Sequence, residues 1–284
     1  MALSAGPIRV LAHAKINLFL RVLRRREDGY HEIQSLMSPI SLADEIRVRP
    51  ADRLRVQVGG GDPLGGLNLA LVAALALADA CPDAGGALVE IDKRIPVAGG
   101  LGGGSADAAA TLRALNDLWG CGVEASALEE IAERIGSDVP AMMQDGPMLV
   151  SGRGERLAPA EFATYHWALV RFGFGVRSPD GYRWWDLDGA NTGPDPAPLL
   201  AAAAAGDGEA LGPVLFNDLE PPVFARHPEL GAAKDRLLEV GALGAVMSGS
   251  GSSVLGLARD AGHARELAGA FEDAEPVVSP PPAP

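Results

Sequence analysis

Aromatic side chains are scarce in this sequence, at 5% of the chain, so the core must be built from Ala, Leu, Val and Gly. Hydrophobic residues still reach 48%, which excludes disorder along the whole length. Cysteine is scarcer still. Cys81 and Cys121 show no CxxC spacing and no histidine-rich surroundings, so neither a disulfide framework nor a zinc site is expected. Two thiols point instead to a reducing cytoplasm. Long apolar runs are missing. Leu67 to Ala80 contains Asn68 and Asp79 and falls short of the about 20 residues a membrane span needs. It reads as a buried helix, and no membrane partner is expected. The opening MALSAGPIRVLAHAK lacks the basic-then-apolar order of an export signal. Basic charge is short as well. The net charge of −13 is the opposite of a nucleic-acid binder's balance, and no nucleic-acid partner is expected.

The acidity is uneven. Residues 1–60 carry ten Lys and Arg against six Asp and Glu, so an anionic ligand is better received there than elsewhere. The other reading of that segment is a solvated charged face. The length of 284 residues suits one large or two modest domains. Strands are predicted at Ile8–Leu11, Asn17–Leu23, Ala87–Ile91, Met148–Ser151 and Trp167–Phe172. Glu45–Arg49 and Leu54–Val58 alternate around Pro50-Ala51-Asp52, which predicts a hairpin. Gly59–Gly66 reads as a loop. Asn68 opens the Ala/Leu helix, and Ala106–Trp119 and Ala125–Ile135 are further helices, Gly120 closing the first of them. Pro179 and Gly181 mark an aromatic-rich loop, and Asn191–Gly212 holds a short helix. Pro222–Val240 and Ala261–Phe271 read as helices. Ala245–Leu257 reads as a strand pair broken at Ser248–Ser252. Pro276–Pro284, with five prolines, is expected to be a disordered tail. This irregular mixture, with adjacent hairpins, predicts an α+β fold.

The most informative stretch runs from Lys93 to Asp107. Five of the six residues Gly99–Gly104 are glycine, and an Ala-rich helix follows at once. Such a run costs about 0.5–1 kcal/mol per residue relative to Ala in regular structure. In return the backbone can meet a ligand with no Cβ in the way. Free N–H groups and the positive end of the helix dipole then form a phosphate cradle. No Lys follows the last glycine, so this is not a Walker A loop. Ser105 stands where the dinucleotide fingerprint needs its third glycine. A flexible linker is the competing reading, but linkers rarely lead into so well marked a helix.

Pro96 to Ser105, centred on Gly100-Leu101-Gly102, resembles the nucleotide loop of the GHMP kinases. Ala14–Leu20 resembles their N-terminal motif and Val246–Val254 their C-terminal glycine motif, all in the right order. The resemblance implies two lobes. An N-terminal lobe like ribosomal protein S5 domain 2 would span residues 1–155, and a ferredoxin-like lobe 156–275, with residues 276–284 as tail. Substrates would lie in the cleft between them. Four features resemble the members that phosphorylate a methylerythritol carried on cytidine diphosphate. These are Lys15 with Asn17, Gly29-Tyr30-His31, Ile135–Pro140, and Asn217-Asp218-Leu219-Glu220. The implied reaction moves the ATP γ-phosphoryl group to the substrate's 2-hydroxyl in the non-mevalonate route to isoprenoid precursors.

In that reaction Asp138 would accept or orient the hydroxyl proton and Lys15 would offset developing negative charge. Taken alone, Asp138 before Val-Pro is a turn or cap residue and Lys15 a solvated lysine. By the resemblance, Pro96, Val97, Ala98, Gly99, Gly100, Leu101, Gly102, Gly103, Gly104, Ser105, Ala106 and Asn68 would hold ATP. Asn68 could equally be only a helix cap. Asn17 would position the hydroxyl or the carboxylate, and Tyr30, His31 and Tyr182 would receive the cytosine; the other reading of Tyr30 and Tyr182 is a core aromatic. Gly249, Ser250 and Gly251 would let the backbone approach the substrates. Asp107 stands where the family often has Asn, and Ser178 where Thr is expected. Magnesium is expected with ATP on chemical grounds, with no dedicated protein cage. Partners are two small molecules, in a monomer or homodimer. The rivals are another GHMP kinase, acting on mevalonate, homoserine or a sugar, and a non-catalytic nucleotide-binding protein. Lys15 and Asp138 argue against the second.

Overall fold

The computed structural model describes residues 6–59, 68–189 and 192–282. Residues 1–5, the loop expected at Gly59–Gly66 apart from Gly59, Leu67, Ala190, Asn191 and residues 283–284 lie outside that range. In chain order the elements begin β1 (Ile8–Arg25), β2 (His31–Pro50), β3 (Arg55–Val58), α1 (Leu69–Ala80), β4 (Ala87–Asp92), α2 (Gly103–Trp119), α3 (Ala125–Ile135) and α4 (Val139–Met142). They continue with β5 (Met148–Gly152), β6 (Arg156–Pro159), β7 (Tyr165–Val170), α5 (Ser178–Asp188), α6 (Ala197–Ala205) and α7 (Gly208–Leu211). Last come β8 (Phe216–Asn217), α8 (Glu220–Phe224), α9 (Pro228–Glu239), β9 (Gly244–Met247), β10 (Val254–Ala258), α10 (Ala261–Ala268) and β11 (Ala274–Ser279). The fold is α+β, as expected. Among the described residues no helix is long and apolar enough to cross a membrane.

The chain divides into two compact units that interleave along the sequence. The first takes the described residues of 6–14, 42–97 and 102–144, and the second those of 15–41, 98–101 and 145–282. A single consecutive boundary near residue 155 does not describe this partition, because 15–41 and β5 group with the second unit.

In the first unit, β4 lies between β3 and β2. It runs antiparallel to β2, from Glu45 opposite Asp92 to Pro50 opposite Ala87, and parallel to β3, from Arg55 beside Leu88 to Val58 beside Ile91. The expected hairpin of β2 and β3 is therefore corrected: β4 already occupies the edge that β3 would need. The link after Pro50 is pressed onto the start of β4 instead. The Ala51 N–H donates to the Gly86 carbonyl at 3.0 Å, and a Cβ on Gly86 would lie 2.1 Å from the Ala51 oxygen. Ile46, Val48, Val89 and Ile91 pack with Ala70, Ala73, Ala74 and Leu77 of α1 and Ala108, Leu112 and Leu115 of α2. Each fully buried Leu or Ile here is worth about 1.5–3 kcal/mol.

Helices α1 and α2 run side by side in the same direction. At their N-terminal ends a Cβ on Gly104 would lie 3.7 Å from Leu69 Cδ1. At their C-terminal ends Cys81, the cap residue of α1, forms a disulfide with Cys121, which follows the left-handed cap Gly120 of α2. This corrects the expectation of two free thiols, and with it the argument from cysteine for a reducing compartment. Spacing hid the pair, because two helix ends 40 residues apart in sequence meet only after α1, β4 and α2 have packed.

In the second unit, β11, β7, β10 and β9 form an antiparallel sheet in that order. Ala168, Val170 and Val254 of the sheet pack with Leu230 and Leu237 of α9 and Leu267 of α10. β8 lies parallel to β1, and β5 runs antiparallel to both β2 and β6. Three expectations are corrected here. The tail expected from Pro276 begins as part of β11, which pairs with β7 through Ser279. Proline is tolerated because β11 is an edge strand, where a missing donor can face outwards. The Trp167 indole N–H, fully buried, donates to Ser279 Oγ at 2.8 Å and ties this edge down. The expected loop at Pro179 is the helix α5, since proline fits a first helical turn and Gly189 closes it at φ 63°. The expected helix Pro222–Val240 is two helices, interrupted before Pro228.

Replacing Cys81 by Ser should lower stability by about 2–4 kcal/mol, from the size of the loop that the bond closes. Urea denaturation of both proteins, with and without reductant, checks this. The difference should vanish once the wild-type bond is reduced.

Candidate active site

The glycine loop is shared between the units: Pro96, Val97 and Gly102–Ala106 belong to the first and Ala98–Leu101 to the second. Within the second unit the loop's carbonyls are all committed. Ala98 O accepts from Val176 N, Gly99 O from Ser253 N, and Leu101 O from Lys15 N. Gly100 O accepts from Lys15 Nζ at 2.9 Å and from Ser248 Oγ at 3.0 Å. A Cβ on Gly100 would lie 2.0 Å from the Ser248 oxygen, and its φ is 78°. Only glycine fits. Ala98 also has positive φ, at 56°, a conformation that costs a non-glycine residue energy.

Lys15 is 6% exposed. Its Nζ donates to Asn17 Oδ1 at 2.7 Å as well as to Gly100 O. Asn17 Nδ2 donates in turn to Ser35 Oγ at 2.7 Å, and Ser35 Oγ to Phe19 O. Both ends of the Asn17 amide are thus engaged within the protein. Gly249 lies alongside: a Cβ there would be 3.0 Å from Gly100 O and 3.3 Å from Lys15 Nζ. Ser250 Oγ donates to Val176 O at 2.9 Å and lies 3.4 Å from Ser178 Oγ. Gly251 has φ 85°.

The Asn-Asp-Leu-Glu motif supports this loop from beneath. Asn217 Nδ2 donates to both Met247 O and Gly249 O at 2.7 Å. Asp218 accepts from Val22 N and Gly193 N. Glu220 accepts from Met247 N and from Lys234 Nζ. Burial pushes the Asp218 and Glu220 carboxyls above their ordinary range, against these donors.

In the first unit, α2 begins at left-handed Gly102 with no side-chain cap. Its first-turn N–H groups therefore have no partner within the helix. The neighbouring α1 is capped: Asn68 Oδ1 accepts from Ala70 N at 2.9 Å and Leu71 N at 3.3 Å. Lys93 Nζ bridges Asp44 Oδ2 at 2.5 Å and Asp107 Oδ2 at 2.8 Å, and a Cβ on Gly103 would lie 3.3 Å from it. Asp44 Oδ1 also accepts from Arg94 N and Ile95 N, fixing the approach to the loop. Burial and the nearby Asp44 carboxylate push Asp107 up to about 7, against the pull of Lys93. Burial works to lower the Lys93 ammonium, but the two carboxylates outweigh it and the net direction is up. Asp138, half-buried, stands at the N-terminus of α4 and makes no side-chain cap bond.

His31 and Tyr182 come together in the second unit, their rings stacked at 4.8 Å with an 18° interplanar angle. Tyr30 is 49% exposed, and the Arg153 guanidinium lies over its ring at 5.2 Å. Three residues here escaped sequence reasoning. Arg153 gave no signal. Trp185 and Asp186, three and four residues after Tyr182, would have been visible as one helical face had α5 been recognised.

Residues 68–151 match the GHMP kinases N terminal domain and residues 199–276 the GHMP kinases C terminal domain. The chain is 44% identical over 258 residues to the 4-diphosphocytidyl-2-C-methyl-D-erythritol kinase of Symbiobacterium thermophilum, covering 89% of this chain and 91% of that one. The chain belongs to the GHMP kinase family. A second relative with the same kinase name, from Mycobacterium tuberculosis H37Rv, is 40% identical over 272 residues, covering 92% of this chain and 85% of that one. Among solved structures, a 4-(cytidine 5'-diphospho)-2C-methyl-D-erythritol kinase matches with TM-score 0.83 at 37% identity, covering 96% of this chain and 99% of that one. Homoserine kinase from Cytophaga hutchinsonii matches with TM-score 0.73 at 19% identity, covering 98% and 96%, which speaks to fold alone. This GHMP kinase is a small-molecule kinase.

Gly100→Ala should cost about 2–4 kcal/mol and abolish turnover, because strain and collision coincide at one position; thermal unfolding with an ATP-turnover assay checks it. Asp107→Asn tests the raised carboxyl. The wild type should lose stability relative to the variant as pH rises from about 4 to 7, where the unfolded chain ionises before the folded one, and the difference should level off above that. Denaturation midpoints across this range would show it.

Proposed function

We propose that this GHMP kinase transfers the γ-phosphoryl group of ATP to the 2-hydroxyl of 4-diphosphocytidyl-2-C-methyl-D-erythritol, giving the 2-phosphate and ADP, in the non-mevalonate route to isoprenoid precursors. The observation that carries the reading is the 44% identity, over 89% of this chain, to a relative of that name. The residue-level geometry supports it. Lys15 would stabilise charge on the acceptor oxygen and the moving phosphoryl group. Its ammonium is buried and aimed by Asn17 and Gly100, so the charge acts from a fixed point. We assign Asn17 to aiming Lys15, since its amide is already engaged at both ends.

Asp138 would take or orient the hydroxyl proton. The uncapped N–H groups of α2, with Pro96–Ala106, would cradle the ATP phosphates. Asn68 would contribute by capping α1 at the same end. Tyr30, His31 and Tyr182 would receive the cytosine, and Gly249, Ser250 and Gly251 would line the substrate with backbone.

Magnesium would come with ATP and neutralise charge on its phosphates. Among the described residues no group of three or more His, Cys, Asp or Glu could hold a metal, and Lys93 bridges Asp44 and Asp107. No step is assigned to a metal held by protein side chains. The proposed partners are the two small molecules, handled in the cytoplasm by a monomer or homodimer.

ADP release from Mg-ATP should be seen with the cytidine substrate and not with mevalonate, homoserine or galactose. Turnover with one of the others instead would keep the family and discard this substrate. Asp138→Asn should lower turnover by at least about 100-fold while leaving ATP binding within a few-fold. Near-normal turnover would remove Asp138 from the mechanism.

A further inference from the structure

The His31 ring is held from three sides by one helix. Tyr182 stacks on its face, Trp185 meets it edge-on at 5.8 Å, and Asp186 Oδ1 lies 2.9 Å from its Nε2. Tyr182 and Asp186 are four residues apart on α5, so one helical face presents both the stacking surface and the carboxylate. The ring is buried, with its side chain 7% exposed, whereas Asp186 is 25% exposed and has Arg25 Nη1 at 3.6 Å on its other oxygen. Both carboxylate oxygens of Asp186 thus face a nitrogen, and a carboxylate oxygen can only accept.

We propose that Asp186 is a positioning residue that selects the Nε2–H form of His31, leaving Nδ1 with a lone pair to accept a hydrogen bond from the substrate's base. An accepting nitrogen suits an exocyclic amino group and is mismatched to a carbonyl at the same place. The pair would therefore make the site prefer cytosine to uracil. A histidine nitrogen takes its role from the hydrogen bond made by the other nitrogen, and an acidic partner is the usual means. The inference rests on the proposed cytidine substrate for its consequence, but the state of the ring can be read without any substrate.

The experiment is a long-range proton–nitrogen correlation of the His31 ring in nitrogen-15-labelled enzyme, wild type against Asp186→Ala and Asp186→Asn. KM and kcat would be measured in parallel for the cytidine substrate and its uridine counterpart. Wild type is expected to show the neutral ring protonated at Nε2. In Asp186→Ala the two neutral forms should mix, KM for the cytidine substrate should rise about tenfold with kcat within about twofold, and the cytosine preference should fall about tenfold. Asp186→Asn keeps the shape of the site and serves if the alanine variant does not fold; base preference should again follow the tautomer. A wild-type ring protonated on both nitrogens overturns the proposal. So does an unchanged ring in folded Asp186→Ala, or a changed tautomer with unchanged base preference. A wild type inactive on the cytidine substrate overturns the substrate reading instead, and the nitrogen spectrum still decides whether Asp186 sets the ring.

Discussion

One backbone carbonyl, that of Gly100, holds the cationic part of this site together. It accepts from the Lys15 ammonium and from the Ser248 hydroxyl, and its own α-carbon is pressed against the Ser248 backbone. A buried ammonium without partners would cost several kcal/mol or lose its proton. The carbonyl of Gly100 and the side chain of Asn17 keep that cost down. The dependence continues outwards. Ser248 is placed by a loop whose flanking carbonyls, on Met247 and Gly249, are both gripped by Asn217. Three segments far apart in sequence thus fix one charge, and a fault in any of them reaches Lys15.

The first unit solves a different electrostatic problem. The uncapped start of α2 favours negative charge, yet Asp107 in its first turns competes for that role. Lys93 settles the conflict by sitting between Asp107 and Asp44. The same Asp44 pins the backbone at Arg94 and Ile95, so holding Lys93 in place and shaping the entry to the glycine loop are one operation.

Much of this could be read from the sequence wherever composition is itself the signal. The glycine run, the Ala-rich α2 with its Gly120 stop, and the β9–β10 pair around Ser248–Ser252 are local patterns, and they stand in the structure as read. The failures share a cause. The β2–β3 hairpin, the Cys81–Cys121 bond and the edge strand β11 were all decided by a third element absent from the local window. These were β4, the packed pair of α1 and α2, and β7 respectively. At the site, Lys15 and the glycines were legible because a motif surrounds them. Asp186 and Arg153 were not, because each matters through a single tertiary contact.

The parallel pair α1 and α2 has a mechanical consequence. Their N-terminal ends lie together at the uncapped start of α2, and their C-terminal ends are covalently tied. Sliding one helix past the other is blocked by that tie. Any parting of the two helices must therefore open from the N-terminal ends, hinged at the cystine. The largest displacement then falls at the glycines and the smallest at the opposite end.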